Sequence, residues 1–262
     1  MDSRKIVNFV VQFFRFIIML KITPLLGILW FTLGSLFAQP ADKLTPDKRR
    51  ALQWKPEKGQ YYFGHKLIYD YDQRNEGRKG TLEIGLDLTT GTLCFLRETS
   101  FGQTASDFDF ILGFADGKFI SCGLDEAGKK FRIKQMVVEV KSDPETLQQR
   151  VSDFQEFCTP TGSNKVIYGW PALEYVRAFP RSETSDKMWL LQTPFSVTHL
   201  YGFELMEGTA SLPVSFDFID LLGKNQLLMS YESKEVNIQL NRIEASPVTV
   251  NISPYREIII AD

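Results

Sequence analysis

Hydrophobic and polar positions alternate with a period of two along most of the chain. Leu82, Ile84, Leu86 and Leu88 share one face, and Thr81, Glu83, Gly85 and Asp87 the other, the pattern of a half-buried strand. Thr89-Thr90-Gly91 turns it into a second strand over 92–98. Phe108, Phe110, Leu112 and Phe114 alternate next, and Asp116-Gly117 is a hairpin turn into 118–122, where glycine supplies a positive φ. A further turn at 125–128 leads to 131–140. Strands resume over 165–179, interrupted by Pro171, and over 188–193. Residues 198–206 fit no single period. Val214, Phe216 and Phe218 alternate, 227–231 is apolar, and Val236, Ile238 and Leu240 alternate with Asn237, Gln239 and Asn241. Val248, Val250 and Ile252 make the last strand.

One stretch changes period. Ser142 or Asp143 caps a helix, Pro144 suits its first turn, and Glu145 stands three after Ser142, as in a capping box. Leu147, Val151, Phe154 and Cys158 follow on one apolar face, and Pro160 and Gly162 end it. Such a helix between strand runs must lay that face on the sheet. The expected fold is mainly β (α+β): a curved antiparallel sheet or half-barrel with one amphipathic helix packed on it.

The first forty residues differ from this body. Arg4 and Lys5 lead, 6–20 is apolar apart from Asn8, Gln12 and Arg15, and 22–41 holds no charge. A positive start, an apolar run and Ala38 before Gln39-Pro40 read as a signal peptide over 1–38. Met19-Leu20-Lys21 with 22–37 is a complete leader by itself, which makes Met19 an alternative start. Kept whole, the segment aligns Asn8, Gln12 and Arg15 in one polar stripe. Uncleaved, 22–41 is long enough for an anchor, although Pro24, Gly27 and Gly34 weaken it. In each case the body lies outside the cytoplasm, in the periplasm or at the cell surface. Residues 39–59, with Pro40, Pro46 and Pro56, read as a linker, and 60–262 as a single β-rich domain.

The 262 residues carry 30 basic and 32 acidic side chains, and 44% are hydrophobic, which excludes wholesale disorder. The leader takes four basic residues and one acidic, so 26 against 31 remain after it, a net charge of −5. Nothing in that balance seeks nucleic acid. Lys48-Arg49-Arg50 and Lys129-Lys130 read as solvated runs.

Catalytic motifs are absent: no G-x-S-x-G, H-E-x-x-H, C-x-x-C, phosphate loop or G-x-G-x-x-G occurs. His65 and His199 are isolated. Asp70, Asp72, Glu76, Gly77 and Glu83 approach a calcium-loop spacing, but Arg74 stands where an oxygen ligand belongs, so a charged hairpin is expected. Of the carboxylate pairs Asp107/Asp109, Asp125/Glu126 and Asp217/Asp220, the first could serve glycoside hydrolysis or line a solvent face. With three cysteines, Cys94 and Cys122 are the candidate disulfide, and Cys158 completes the apolar face of the helix. No cofactor or metal site is expected.

The order Lys165-Val166-Ile167-Tyr168-Gly169-Trp170-Pro171-Ala172-Leu173-Glu174-Tyr175, with Met188-Trp189-Leu190 and Leu212-Pro213 after it, resembles a bacterial family of exported proteins with a domain of unknown function. Ala172 stands where many members have Cys, so any disulfide or metal role there is absent. More distantly, that family resembles the envelope lipoprotein-carrier half-barrels. The resemblance implies a curved sheet with a helical lid over an apolar concavity.

Three readings follow. The first is a non-enzymatic envelope protein binding lipid, another apolar ligand or a partner segment in a concavity lined by Phe108, Phe110, Phe114, Phe154, Trp170, Tyr175 and Trp189. The second is a structural or interaction module of the cell surface, partnered by an envelope protein and without a cavity. The third is a hydrolase using Asp107 and Asp109.

Overall fold

The computed structural model describes residues 45–101, 108–136, 144–178, 185–201, 218 and 221–259. The expected leader and anchor, the Ser142/Asp143 cap, Asp107, Leu212-Pro213, Val214, Phe216, Asp217 and Asp220 lie outside them. Among the described residues no helix is long and apolar enough to cross a membrane.

The described strands are β1 Gln60–Phe63, β2 His65–Gln73, β3 Arg78–Leu86, β4 Leu93–Leu96, β5 Phe108–Gly113, β6 Lys118–Leu124, β7 Lys130–Met136, β8 Cys158–Ile167, β9 Trp170–Ala178, β10 Ser185–Gln192, β11 Gln226–Glu232, β12 Val236–Glu244, β13 Val248–Asn251 and β14 Arg256–Ile258. The helices are α1 Pro46–Gln53, α2 Arg97–Ser100, α3 Pro144–Phe157 and α4 Thr198–Tyr201. Twelve strands form a large curved sheet that does not close, in the order β14-β7-β6-β5-β4-β3-β2-β12-β11-β10-β9-β8; β1 and β13 form a second, two-stranded sheet. All pairs are antiparallel except β14 with β7, a parallel addition that the alternation did not reveal.

Two cores flank the middle of the large sheet. Leu67, Tyr69, Leu82, Ile84, Phe95, Ile111 and Phe119 belong to the first. Cys94, Phe110, Leu112, Ile120 and Cys122 belong to the second, where β1 and β13 add Tyr61, Phe63 and Val250. Strands β4 to β6 are therefore covered on both faces. Each fully buried Leu or Phe there contributes about 1.5–3 kcal/mol.

The expected linker is structured from residue 46. Helix α1 occupies Pro46–Gln53, and Trp54 packs edge-on to Tyr61 and Phe63 at 5.4 and 6.2 Å. The β2–β3 connection is the charged hairpin expected of the acidic run: Asp70 accepts from Thr81 at 2.8 Å, and Asp72 pairs with Lys79. The strand expected over 92–98 ends at Leu96. There Ser100 Oγ accepts from the Leu96 amide at 2.9 Å and donates to Glu83 O at 2.5 Å, which folds the chain into α2.

Helix α3 is present, with Phe154 packed against the first core. Cys158 does not extend it: the helix stops at Phe157, and Cys158 is the first residue of β8. Pro160 therefore lies in an edge strand, beside an irregularity between Pro160 and Asn164, a position where proline breaks no ladder. Pro171 is tolerated for a related reason, because the β9–β10 ladder ends at the Leu191–Ala172 pair one residue away.

Strands β11 and β12 pair only from Ser230 to Glu232. Where they part, the Leu228 amide donates to Tyr201 Oη at 2.8 Å, Tyr201 donates to Gln226 O at 2.9 Å, and Tyr69 donates to Leu228 O at 3.0 Å. Two tyrosine hydroxyls thus replace the missing ladder partners.

Candidate functional site

Elements distant in sequence converge at the ends of β2, β3, β9 and β10. The β8–β9 turn holds Tyr168 and Gly169 at φ 54° and 78°. Two positive φ values match the right-handed twist of a two-residue hairpin, but at an aromatic residue they are strained. The turn aims Tyr168 at His65, the first residue of β2, at 5.7 Å and edge-on. Tyr168 also meets Trp170 at 5.6 Å, and Trp170 meets Phe195 at 5.5 Å. Phe195 closes the row against the β3–β4 turn: a Cβ on Gly91, whose φ is +74°, would lie 2.7 Å from its ring. His199 Nε2 donates to Gly91 O at 2.8 Å.

Charge gathers beside this row. Asp87 is buried and receives Arg50 Nε on Oδ1 at 2.6 Å and the terminal amino group Nη2 on Oδ2 at 2.9 Å. Thr90 Oγ1 donates to Asp87 Oδ2 at 2.7 Å and shares a hydrogen bond with Thr92 Oγ1. Arg50 lies over the Trp54 ring at 4.6 Å. Burial pushes the His65 ring below the usual histidine range, against the pull of Asp47 and Asp87. Burial likewise lowers His199, to about 4.

The seven rings expected to line one concavity are divided between the two cores. Phe108 meets Phe131 at 6.0 Å in the first core. Phe110 meets Tyr255 at 5.5 Å, and Phe114 meets Tyr61 at 5.8 Å, both in the second. The register shifts between Phe108 and Phe110, and an extra residue there turns adjacent even-numbered side chains to opposite faces. Phe154 stacks on Phe218 at 6.0 Å, and Phe218 meets Tyr231 at 5.1 Å with the rings tilted. Trp170, Tyr175 and Trp189 are half-buried against the first core, with the Lys165 ammonium over Trp189 at 3.9 Å.

Candidates for chemistry are similarly placed. Asp109 is engaged by Arg97 at 2.9 Å and by the Tyr255 hydroxyl at 3.0 Å. Asp125 Oδ1 accepts from the amides of Ala127 and Lys129 and so shapes the β6–β7 turn. Cys94 and Cys122 are free thiols on β4 and β6 with β5 between them. Two strand spacings are about 9.5 Å, beyond the roughly 7 Å that a disulfide can span, so the expected bridge is not formed. On α3, Glu145, Gln148, Gln149 and Ser152 border an open hollow.

Asp87, Arg50, Phe195 and the His199 contact were not legible as a site. Asp87 stands in the polar phase of the 81–88 alternation, which implies solvent. The hydroxyls of Thr90 and Thr92 beside it were the available signal.

No family model matches this chain, and no curated protein matches it. A solved structure, that of PNGF-II in a C2 space group, is similar over 74% of this chain at 9% identity with a TM-score of 0.36. This chain spans 30% of that structure's length. A likeness at that level transfers neither fold nor activity.

Proposed function

We propose that this protein is an exported, non-enzymatic interaction module of the cell envelope, built on a filled curved sheet. The observation that carries the reading is the run of three rings in contact from α3 to β11. Phe154 lies on Phe218 with 21° between the ring planes, and Phe218 meets Tyr231 at a tilt of 47°. Rings that fill the space under a helix leave an apolar ligand no room there. Contacts with an envelope partner then fall on outward side chains such as Val166, Tyr168 and Leu173 of the β8–β9 hairpin.

A carrier of lipid or another apolar ligand is the second reading. It is favoured by Trp170, Tyr175 and Trp189, which stay half-exposed at the border of the first core, and by the resemblance to lipoprotein-carrier half-barrels. Titration of the folded protein with an apolar fluorescent probe separates the two. The module takes up no probe saturably. Saturable uptake, displaced by fatty acids and weakened in Trp170→Ala while the fold survives, overturns the module in favour of the carrier.

A further inference from the structure

We propose that residues 193–201 form an acid-released clasp, closed where the His199 ring meets the β3–β4 turn. The segment leaves the end of β10 and is tied at its near end by Thr193 N–H to Asn225 O at 2.9 Å and Val197 N–H to Lys224 O at 2.8 Å. Toward its far end it is held by the His199 Nε2 bond to Gly91 O at 2.8 Å, by Phe195 against Gly91, and by Tyr201, whose hydroxyl accepts from the Leu228 amide at 2.8 Å and donates to Gln226 O at 2.9 Å. His199 is 2% exposed, with ring carbon Cδ2 against Gly113. Its Nδ1 is buried without a hydrogen-bond partner. A neutral ring that donates from Nε2 fits this setting. A doubly protonated ring would need a second acceptor and would bring a charge into an apolar wall.

The neighbouring charges do not reverse this. Asp116, from the β5–β6 turn, favours the proton. Asp87, in the β3–β4 turn, is already bound by Arg50 and Thr90. Strand β6 contributes the apolar Phe119, and residues 193–201 contain no other charged side chain. Burial outweighs the hydrogen bond to Gly91 and the pull of Asp116, and holds the ring at about 4.

The direction follows from linkage. In the released segment the ring titrates near its ordinary value of about 6.5, so release takes up a proton between that pH and about 4. The closed state is fully favoured above this window and loses ground as the pH falls through it. The ratio of released to closed molecules rises roughly 80-fold by pH 4.5 and at most about 300-fold. Release frees Phe195 from Trp170 and so makes presentation of an aromatic surface conditional on pH, a step beyond the module reading.

Hydrogen exchange, corrected for intrinsic rates and compared at pH 7.5 and 4.5, tests the clasp. Protection of 193–201 should fall by tens-fold at the lower pH while β2 and β3 keep theirs. His199→Gln retains an N–H donor for Gly91 O without titrating, and its protection should not change with pH. The chain has two histidines, so His65→Gln should still release. Unchanged protection in the wild type, loss shared by every strand, or equal release in His199→Gln overturns the proposal. Should the Gln variant fail to fold, an NMR titration of the wild-type ring decides: a midpoint below 5 supports the clasp, and one near 6.5 overturns it.

Discussion

Arg50 and Asp87 form a two-pronged ion pair that fastens the first described helix to the β3–β4 turn, and the carboxylate is almost fully enclosed, with its side chain 3% exposed against 23% for Arg50. The two ends of the contact are therefore unequal. An arginine released from the pair can reach water along its own stem, whereas an aspartate left behind cannot.

That inequality sets the first prediction. Arg50→Ala should cost about 3 kcal/mol, because it strands a buried charge. Arg50→Ala combined with Asp87→Asn should cost less than the two single losses summed, with a coupling of about 1–3 kcal/mol. Urea unfolding of the four proteins measures it. Strict additivity would mean that the pair does not form in solution.

Gly91 and Gly128 have similar dihedrals and different surroundings. Their φ values are +74° and +72°, yet a Cβ at Gly91 would meet Phe195 and Ser196 O, and one at Gly128 meets nothing within 4 Å. Gly128→Ala should cost about 1 kcal/mol from backbone conformation alone. Gly91→Ala should cost at least about 2 kcal/mol more, since Phe195 must move as well. Equal losses in thermal unfolding would refute the close approach.

Two phenylalanines should separate core from stack. Phe110 is buried in the second core, so Phe110→Ala should lose about 3–5 kcal/mol. Phe154 is half-buried, and Phe154→Ala should lose about half as much. Denaturant titration checks both, and a Phe154 loss as large as that of Phe110 would place α3 in the core.

The thiols give a chemical readout. Burial holds the Cys94 thiol far above its usual range and pushes Cys122 up to about 12, where Arg132 partly offsets it. A raised thiol stays protonated throughout the neutral range, and the protonated form is unreactive. Alkylation at pH 8 should therefore leave Cys94 and Cys122 unmodified in the folded protein. Unfolding without reductant should then expose all three cysteines to reagent. Only one modified cysteine by mass would indicate a disulfide instead.

Among the described residues, several undisturbed runs of period two became strands. The 81–88 alternation became β3 as far as Leu86, and Asp116-Gly117 became the β5–β6 turn. The pattern failed at Phe108 and Phe110, because one inserted residue reverses a face and leaves no trace in composition. Asp87 was misread for another reason: polarity in an alternating strand signals water only when no partner arrives, and Arg50 arrives from 37 positions away. Pairings such as β14 with β7 join short segments far apart in sequence, which local patterns cannot indicate. The row from His65 to Phe195 depends on such meetings at both of its ends.

The pairing of β2 with β12 and of β1 with β13 has a consequence in time. Tyr69 waits for Leu240 and Tyr61 for Val250, so strands made early have partners made much later in synthesis. A growing chain can form the β2–β3 hairpin, but it keeps one flank of β2 and all of β1 unsatisfied until residues 236–251 exist. Contacts of such long range slow folding. If the chain is exported as proposed, that delay is protective: topology itself postpones the native state until the strands at 236–251 have been delivered.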